Sequence, residues 1–366
     1  MKIKGLRVPE SSSQSNFYLF LGLDENAPNK DHFMHLYENT GMCDGIGGAN
    51  WDGSLVMAEL IELMIDRWKK QTIFGIEMQI SVNVLELGAG AGLLGLLCKN
   101  LLSNTKVILT DKEPDLAQFN VTFNKGFQSI DYILSAPKCD ELDSVSLPSR
   151  DQTIQVIELP WGSDAFNKSI LAEMRSPDLI LGAEIAVLYK QQPLLCQTIS
   201  CLAGPQSLIL LSVDEFPSDR ASATTDLNMI CRSSDVKMSA GPPKEGYAVM
   251  LDRDLVSRGF QKRVLFMRAV HWAKLQNTND HPELNPSEVS CNSLLYALRE
   301  KFNNPAFGST RVATLSRVTP NDVRNVSDLQ EVHHICAYFK PELLSLQCFA
   351  SDILKCFGED VSLAPL

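Results

Sequence analysis

The chain of 366 residues has no run of about 18 consecutive apolar residues, so no membrane span is expected. The basic start "MKIKGLRVPESSSQSN" has no apolar stretch behind it, and no secretory leader is expected. The ten cysteines form no CxxC pair, which leaves no zinc-ligand spacing and points to reduced thiols in the cytoplasm or nucleus. Basic residues are in short supply: 33 Lys and Arg face 44 Asp and Glu, a formal net charge of -11. That balance argues against a nucleic-acid backbone as the main partner and suits attraction to a basic protein surface. Internal repeats are absent as well.

With 45% hydrophobic and 21% charged residues, the composition is that of a globular protein with enough chain for one large domain or two ordinary ones. Between residues 81 and 216 short apolar runs alternate with amphipathic ones. Strands are expected at 82–88, 106–111, 153–161, 177–185 and 206–216, and helices at 91–102, 114–126 and 190–203. Strands alternating with helices build an α/β fold around a parallel sheet covered on both faces. A helix is expected over 50–70, and "YAVMLDRDLVSRGFQKRVLFMRAVHW" reads as helix, Gly259 stop and strand. Beyond a polar linker the tail reads as short helices, among them "CNSLLYALREKF" and "PELLSLQCFASDILKCF".

The stretch "VLELGAGAGLLGL" at 84–96 fits two glycine templates. Glu86, Gly88, Gly90 and Gly92 make ExGxGxG, whereas Gly90, Gly92 and Gly95 make GxGxxG, the dinucleotide fingerprint. In both, glycines after a buried strand permit a tight turn and close ligand approach, and the next helix offers free N–H groups. Asp111, about twenty residues on at the end of the second strand, is placed to meet the hydroxyls of an adenosine ribose. Glu86 favours the first template, because a carboxylate there would repel pyrophosphate but suit a cationic amino-acid moiety or a held water.

These residues and four further motifs in order resemble the family 16, seven-β-strand (class I) protein-lysine methyltransferases. "NWDGSLVMAELIE" resembles the family's Trp-Asp helix start; "LELGAGAGLLG", "LTDKEPDLAQFNVTFN", "ELPWG" and "DLILGAEI" follow, and the likeness runs from about Asn50 to Trp272. The resemblance implies a Rossmann-like seven-strand sheet that binds S-adenosyl-L-methionine, with an N-terminal extension (1–49), a methyltransferase domain (50–273), a linker (274–288) and an accessory, mostly helical region (289–366). It implies donor contacts at Trp51, Gly88, Ala89, Gly90, Asp111, Trp161 and Ala183, beside the contact read above for Glu86. An adenine ring needs an apolar or aromatic wall, which Trp161 can supply.

The fourth strand departs from the family pattern. Family lysine methyltransferases carry an acidic residue and, after two more, a Tyr; here Glu184 fills the acidic place, Val187 stands where the Tyr belongs, and Tyr189 is the nearest aromatic. Glu184 is expected to orient the acceptor amine and Tyr189 to assist. The expected activity is N-methylation of a lysine on a protein substrate by a monomer. The alternatives are a methyltransferase-fold binding module, a non-lysine acceptor, and a nicotinamide oxidoreductase, which Glu86 and "PWG" disfavour. Base methylation lacks its Asn-Pro-Pro-Tyr, since "AEIAVLY" stands there. His333, His334 and Cys336 in "EVHHICAYF" lack a second ligand pair, so no metal is expected.

Overall fold

The structure, a computed structural model, describes residues 5–9, 15–22, 32–39, 46–71, 81–102, 104–124, 153–187, 189–215, 247–274, 311–318 and 332–357. The strands are β1 (Gly5–Pro9), β2 (Ser15–Gly22), β3 (His32–Asn39), β4 (Val82–Leu87), β5 (Thr105–Asp111), β6 (Ile154–Glu158), β7 (Leu179–Ala183), β8 (Leu208–Glu215), β9 (Gln261–Lys274), β10 (Arg311–Arg317) and β11 (Val332–Phe339). They form one sheet in the order β3-β2-β1-β10-β9-β11-β8-β7-β4-β5-β6.

The five apolar runs of the central sequence become β6, β5, β4, β7 and β8, all parallel to one another. β11 enters between β8 and β9, antiparallel to both. Numbered along the chain, the seven strands from β6 to β9 run 3-2-1-4-5-7-6 with the seventh reversed, a seven-strand Rossmann-like sheet of the kind the resemblance implies. β10, β1, β2 and β3 then extend this set by four strands, all antiparallel.

Helices α1 (Asp52–Gln71), α2 (Leu93–Leu101), α3 (Asp115–Asn124) and α7 (Phe349–Cys356) cover one face; α4 (Asp164–Glu173), α5 (Gln192–Leu202) and α6 (Tyr247–Ser257) cover the other. Strand alternation sorts the core accordingly. Val84, Leu179, Leu181, Leu208, Leu210, Ile335 and Ala337 pack under the first layer, and Leu85, Leu87, Ile180, Ile209, Leu211, Cys336 and Tyr338 under the second.

Two expectations need correction. The region beyond residue 289 is not a helical appendage: among its described residues are β10 and β11, and every residue of β11 is buried. Eight residues buried on both faces show no period-2 alternation, so the pattern that marks a half-exposed strand was missing from "EVHHICAYF". The helix expected at the end does form, as a 3-10 turn Pro341–Ser345 followed by α7. "CNSLLYALREKF" lies outside the described residues. The N-terminal extension likewise contributes β1 to β3, and β3 packs on α2 and α3.

Candidate active site

The strand order reverses direction at β4, whose neighbours are β5 on one side and β7 on the other. In an open α/β sheet the crevice beyond the carboxyl ends of the strands at this point is where ligands bind. Every sequence-predicted site residue except Trp51 lies on or just after β4, β5, β6 or β7, and Trp51 directly precedes α1.

The backbone distinguishes the two glycine templates. Gly88, Gly90 and Gly92 have φ of 60°, 51° and 82°, in the left-handed region where a Cβ is costly, whereas Gly95 shows no positive φ and lies inside α2. Gly95 is small for a different reason: a Cβ there would lie 2.9 Å from Val107 Cγ1 and nearer still to Leu109 Cδ2, where α2 crosses β5. The loop therefore uses ExGxGxG.

Glu86 serves this loop from below. Alternation turns it toward α2; it is 3% exposed, and its Oε2 accepts the Gly95 N–H at 2.8 Å. Burial pushes its carboxyl up to about 8. This corrects the expectation of an open contact with a cationic ligand: the carboxyl braces the first turns of α2. Asn120, fully buried on α3, donates from Nδ2 to the Ala91 carbonyl at 2.9 Å and holds the loop's far side. Thr110 Oγ1 donates to the Glu86 carbonyl at 2.7 Å, and the Ala89 N–H donates to the Thr110 carbonyl at 2.9 Å.

Asp111 closes the other flank. Its Oδ2 accepts the Gly90 N–H at 2.9 Å and its Oδ1 the Glu113 N–H at 3.1 Å. Burial raises its carboxyl above the ordinary value, and the backbone N–H groups of Glu113, Gly90 and Lys112 oppose that shift. Opposite stands Trp161, whose Cζ2 would lie 3.5 Å from a Cβ on Gly88, while Ile185 Cγ2 would lie 2.7 Å away. Trp161 is half-buried beside the second core layer, and the following Gly162 (φ 82°) donates its N–H to Thr198 Oγ1 at 2.8 Å.

The chain before α1 lies across the glycine loop, since a Cβ on Gly90 would be 2.8 Å from the Gly47 carbonyl oxygen. The Asn50 N–H in this segment donates to the buried Glu38 Oε1 of β3. Trp51 sits between this cover and the α1 start, its carbonyl accepting the Ser54 N–H at 2.9 Å.

At the end of β7, Ala183 packs against the first core layer and Glu184 takes φ 52°, the non-glycine positive φ among the described residues. Its N–H donates to Ser212 Oγ at 2.9 Å, and its Oε1 accepts the Gly53 N–H in the first turn of α1. His333 Nδ1 of β11 lies 3.5 Å from the same Oε1. The carboxylate is thus turned toward α1 and β11. Tyr189 opens a 3-10 turn, Tyr189–Gln191, and its side chain lies outside the described residues, as does that of Val187.

Sequence reasoning missed Glu38, Asn120 and His333. Asn120 stood within the quoted "LAQFNVTFN" with nothing in its spacing to separate it from a solvated helix face, and His333 was weighed only as a metal ligand. Among the described residues no group of His, Cys, Asp and Glu is placed to hold a metal.

Residues 28–134 match the family model described as Lysine methyltransferase. That segment is similar to the lysine methyltransferase family. Protein N-lysine methyltransferase METTL21A of Danio rerio is 28% identical over 169 residues, 46% of this chain and 61% of the relative. The same protein of Xenopus tropicalis is 32% identical over 170 residues, 46% of this chain and 60% of the relative. EEF1A lysine methyltransferase 3 of Xenopus tropicalis is 26% identical over 213 residues, 57% of this chain and 71% of the relative. The chain thus spans about three fifths of the METTL21A proteins it matches. Among solved structures, precorrin-6y C5,15-methyltransferase of Geobacter metallireducens aligns with a TM-score of 0.34 at 9% identity, covering 76% of this chain and 87% of that one. Within the matched segment lie the glycine loop, Glu86, Asp111, Trp51 and Asn120; Trp161, Glu184 and His333 come from the chain beyond it.

Proposed function

We propose that the chain is a protein methyltransferase that uses S-adenosyl-L-methionine and transfers the methyl group to a lysine side chain. The observation that carries this reading is the left-handed Gly88-Gly90-Gly92 loop at the β4–β7 switch point, flanked by Asp111 on one side and Trp161 on the other. The relatives named protein N-lysine methyltransferases support the acceptor class.

The residues present fit the donor. The backbone of Gly88, Ala89 and Gly90 admits close approach, the Asp111 carboxylate suits ribose hydroxyls, Trp161 offers a wall for adenine, and Trp51 and Ala183 complete the enclosure. When bound, S-adenosylmethionine supplies an electrophilic methyl group on a sulfonium sulfur. The protein's own contribution is alignment, because methyl transfer is an in-line displacement that gains from holding the nucleophile in register. An acceptor lysine must reach the site as the neutral amine. Glu184 at the end of β7 orients that amine and offsets the positive charge it gains. Tyr189, at the start of the 3-10 turn that follows, is proposed to assist.

The net charge of -11 suits a basic protein segment as substrate, and the proposed acting form is a monomer. Six cysteines are free among the described residues, which supports a cytoplasmic or nuclear setting. No described helix is long and apolar enough to cross a membrane.

A second reading, a binding module that keeps the fold, draws on Val187 where the family carries Tyr. Two measurements separate the readings. S-adenosylmethionine at about 1,000 times its dissociation constant stabilises the fold by roughly 4 kcal/mol, and NAD does not. Incubation with methyl-labelled donor and cell extract then labels a protein band on lysine. A thermal shift with NAD alone overturns the donor assignment, and donor binding without any labelling leaves the binding module.

A further inference from the structure

Glu184 raises a question that the methyl-transfer reading leaves open. Its carboxylate is almost fully buried, yet it is a charge that the reading needs at a fixed place. Burying a carboxylate is costly unless donors surround it. The Gly53 N–H, one of the orphan donors in the first turn of α1, donates to it, and His333 Nδ1 lies 3.5 Å from the same oxygen.

The packing leaves little freedom at this point. A Cβ on Gly53 would lie 2.5 Å from both Glu184 Oε1 and Ser212 Oγ, so only glycine lets α1 come this close to the end of β7. His333 is 1% exposed on the α1 side of β11, opposite Asp214 of β8 and Arg268 of β9 in the ladder. Arg268 is itself engaged, donating from Nε and Nη2 to Glu59 of α1 at 3.0 and 2.8 Å. The residue within reach of Glu184 from β11 is therefore His333.

We infer that His333 is a positioning residue of the methyl-transfer site, fixing the Glu184 carboxylate and through it the α1 start that carries Trp51. The inference rests on the methyltransferase reading for what the clasp serves, but the clasp itself is measurable without turnover. β11 begins 149 positions after the end of β7 in sequence (183 to 332), and its insertion into the middle of the sheet brings His333 to the site. A strand that completes the fold thus also sets the geometry of the strand mouth.

The test compares His333→Leu, His333→Asn and His333→Gln in the full chain. Asn can place an amide nitrogen near the Nδ1 position and Gln near Nε2. Hydrogen exchange of the peptide spanning residues 50–57, read by mass spectrometry, reports the Gly53 amide; S-adenosylhomocysteine affinity reports the Trp51 side of the site. His333→Leu and His333→Gln are expected to raise exchange of that peptide about tenfold and weaken S-adenosylhomocysteine about tenfold, with α5 peptides unchanged. His333→Asn is expected to keep wild-type protection. If His333→Leu does not fold, the Asn and Gln pair decides alone. Equal behaviour of Asn and Gln, or wild-type exchange at 50–57 in a folded Leu variant, overturns the inference. Failure of the wild type to bind S-adenosylhomocysteine or to label a protein would instead sink the methyltransferase reading, with the exchange result still judging the clasp.

Discussion

Glu86 and Gly95 are joined by a 2.8 Å bond from the Gly95 N–H to Glu86 Oε2, and neither residue is exposed. The bond couples the strand before the glycine loop to the helix after it, so the loop is held at both ends by one carboxyl group. Since burial pushes that carboxyl up to about 8, it carries a proton at neutral pH in the folded protein and none in the unfolded chain.

The consequence is a specific pH dependence of stability. Between the ordinary carboxylate value of 4.5 and about 8, the folded state binds a proton that the unfolded state has released, so stability falls as pH rises, by about 1.4 kcal/mol per unit from this group. Glu62, also pushed up to about 8 by burial, acts in the same direction. Glu86→Gln mimics the protonated form and keeps an acceptor for Gly95. Urea midpoints at pH 5, 6.5 and 8 are expected to show a flatter slope for the variant and higher stability than wild type at pH 8. A slope parallel to wild type would show that Glu86 is ionised in the fold.

Glycines at two places in the loop should fail differently. Gly95→Ala forces a Cβ against Leu109 and Val107 and is expected to cost about 1–3 kcal/mol of stability, with S-adenosylhomocysteine affinity of the folded fraction kept. Gly90→Ala strains a left-handed residue by about 1–2 kcal/mol and pushes against the Gly47 carbonyl, so it is expected to lose affinity as well. Urea unfolding and calorimetric titration on both variants check this. Equal affinity losses would mean that the two glycines do one job.

What the sequence made legible here was local. Gly88, Gly90 and Asp111 lie close together in the chain, so spacing alone implied the loop and its acidic flank, and the alternation of runs implied the parallel half of the sheet. Glu86 was read with the right template but the wrong partner, because spacing does not tell which face of a strand a side chain takes. His333 and β11 were out of reach for a further reason: their partners Glu184, β8 and β9 are distant in sequence, and a strand buried on both faces carries no periodic signature.

Trp161 is half-buried and borders Gly88, so its side chain can be removed without opening the core. Stacking of a base on an aromatic face is worth about 1–3 kcal/mol. Trp161→Ala is therefore expected to weaken S-adenosylhomocysteine by about tenfold or more while shifting the melting temperature by only a few degrees, and Trp161→Phe to recover most of the affinity. Isothermal titration settles it; unchanged affinity in the Ala variant would place adenine elsewhere.

The position of β11 makes a prediction about truncation. A boundary drawn after Trp272, where the family motifs end, would yield a fragment with β8 and β9 but not the strand that pairs with both. Every residue from Val332 to Phe339 is buried, and burial of Val332, Ile335, Tyr338 and Phe339 alone contributes about 1.5–3 kcal/mol each. That sum is comparable with the whole stability of a typical domain, about 5–15 kcal/mol. The fragment also loses α7, whose Phe349 meets Trp68 of α1 edge to face at 5.0 Å. Residues 1–274 are therefore expected to lack a cooperative melt and to expose apolar surface to a hydrophobic dye, whereas the full chain melts in one step. A 1–274 fragment that melts cooperatively and is stabilised by S-adenosylhomocysteine as the full chain is would show that the sheet closes without its seventh strand.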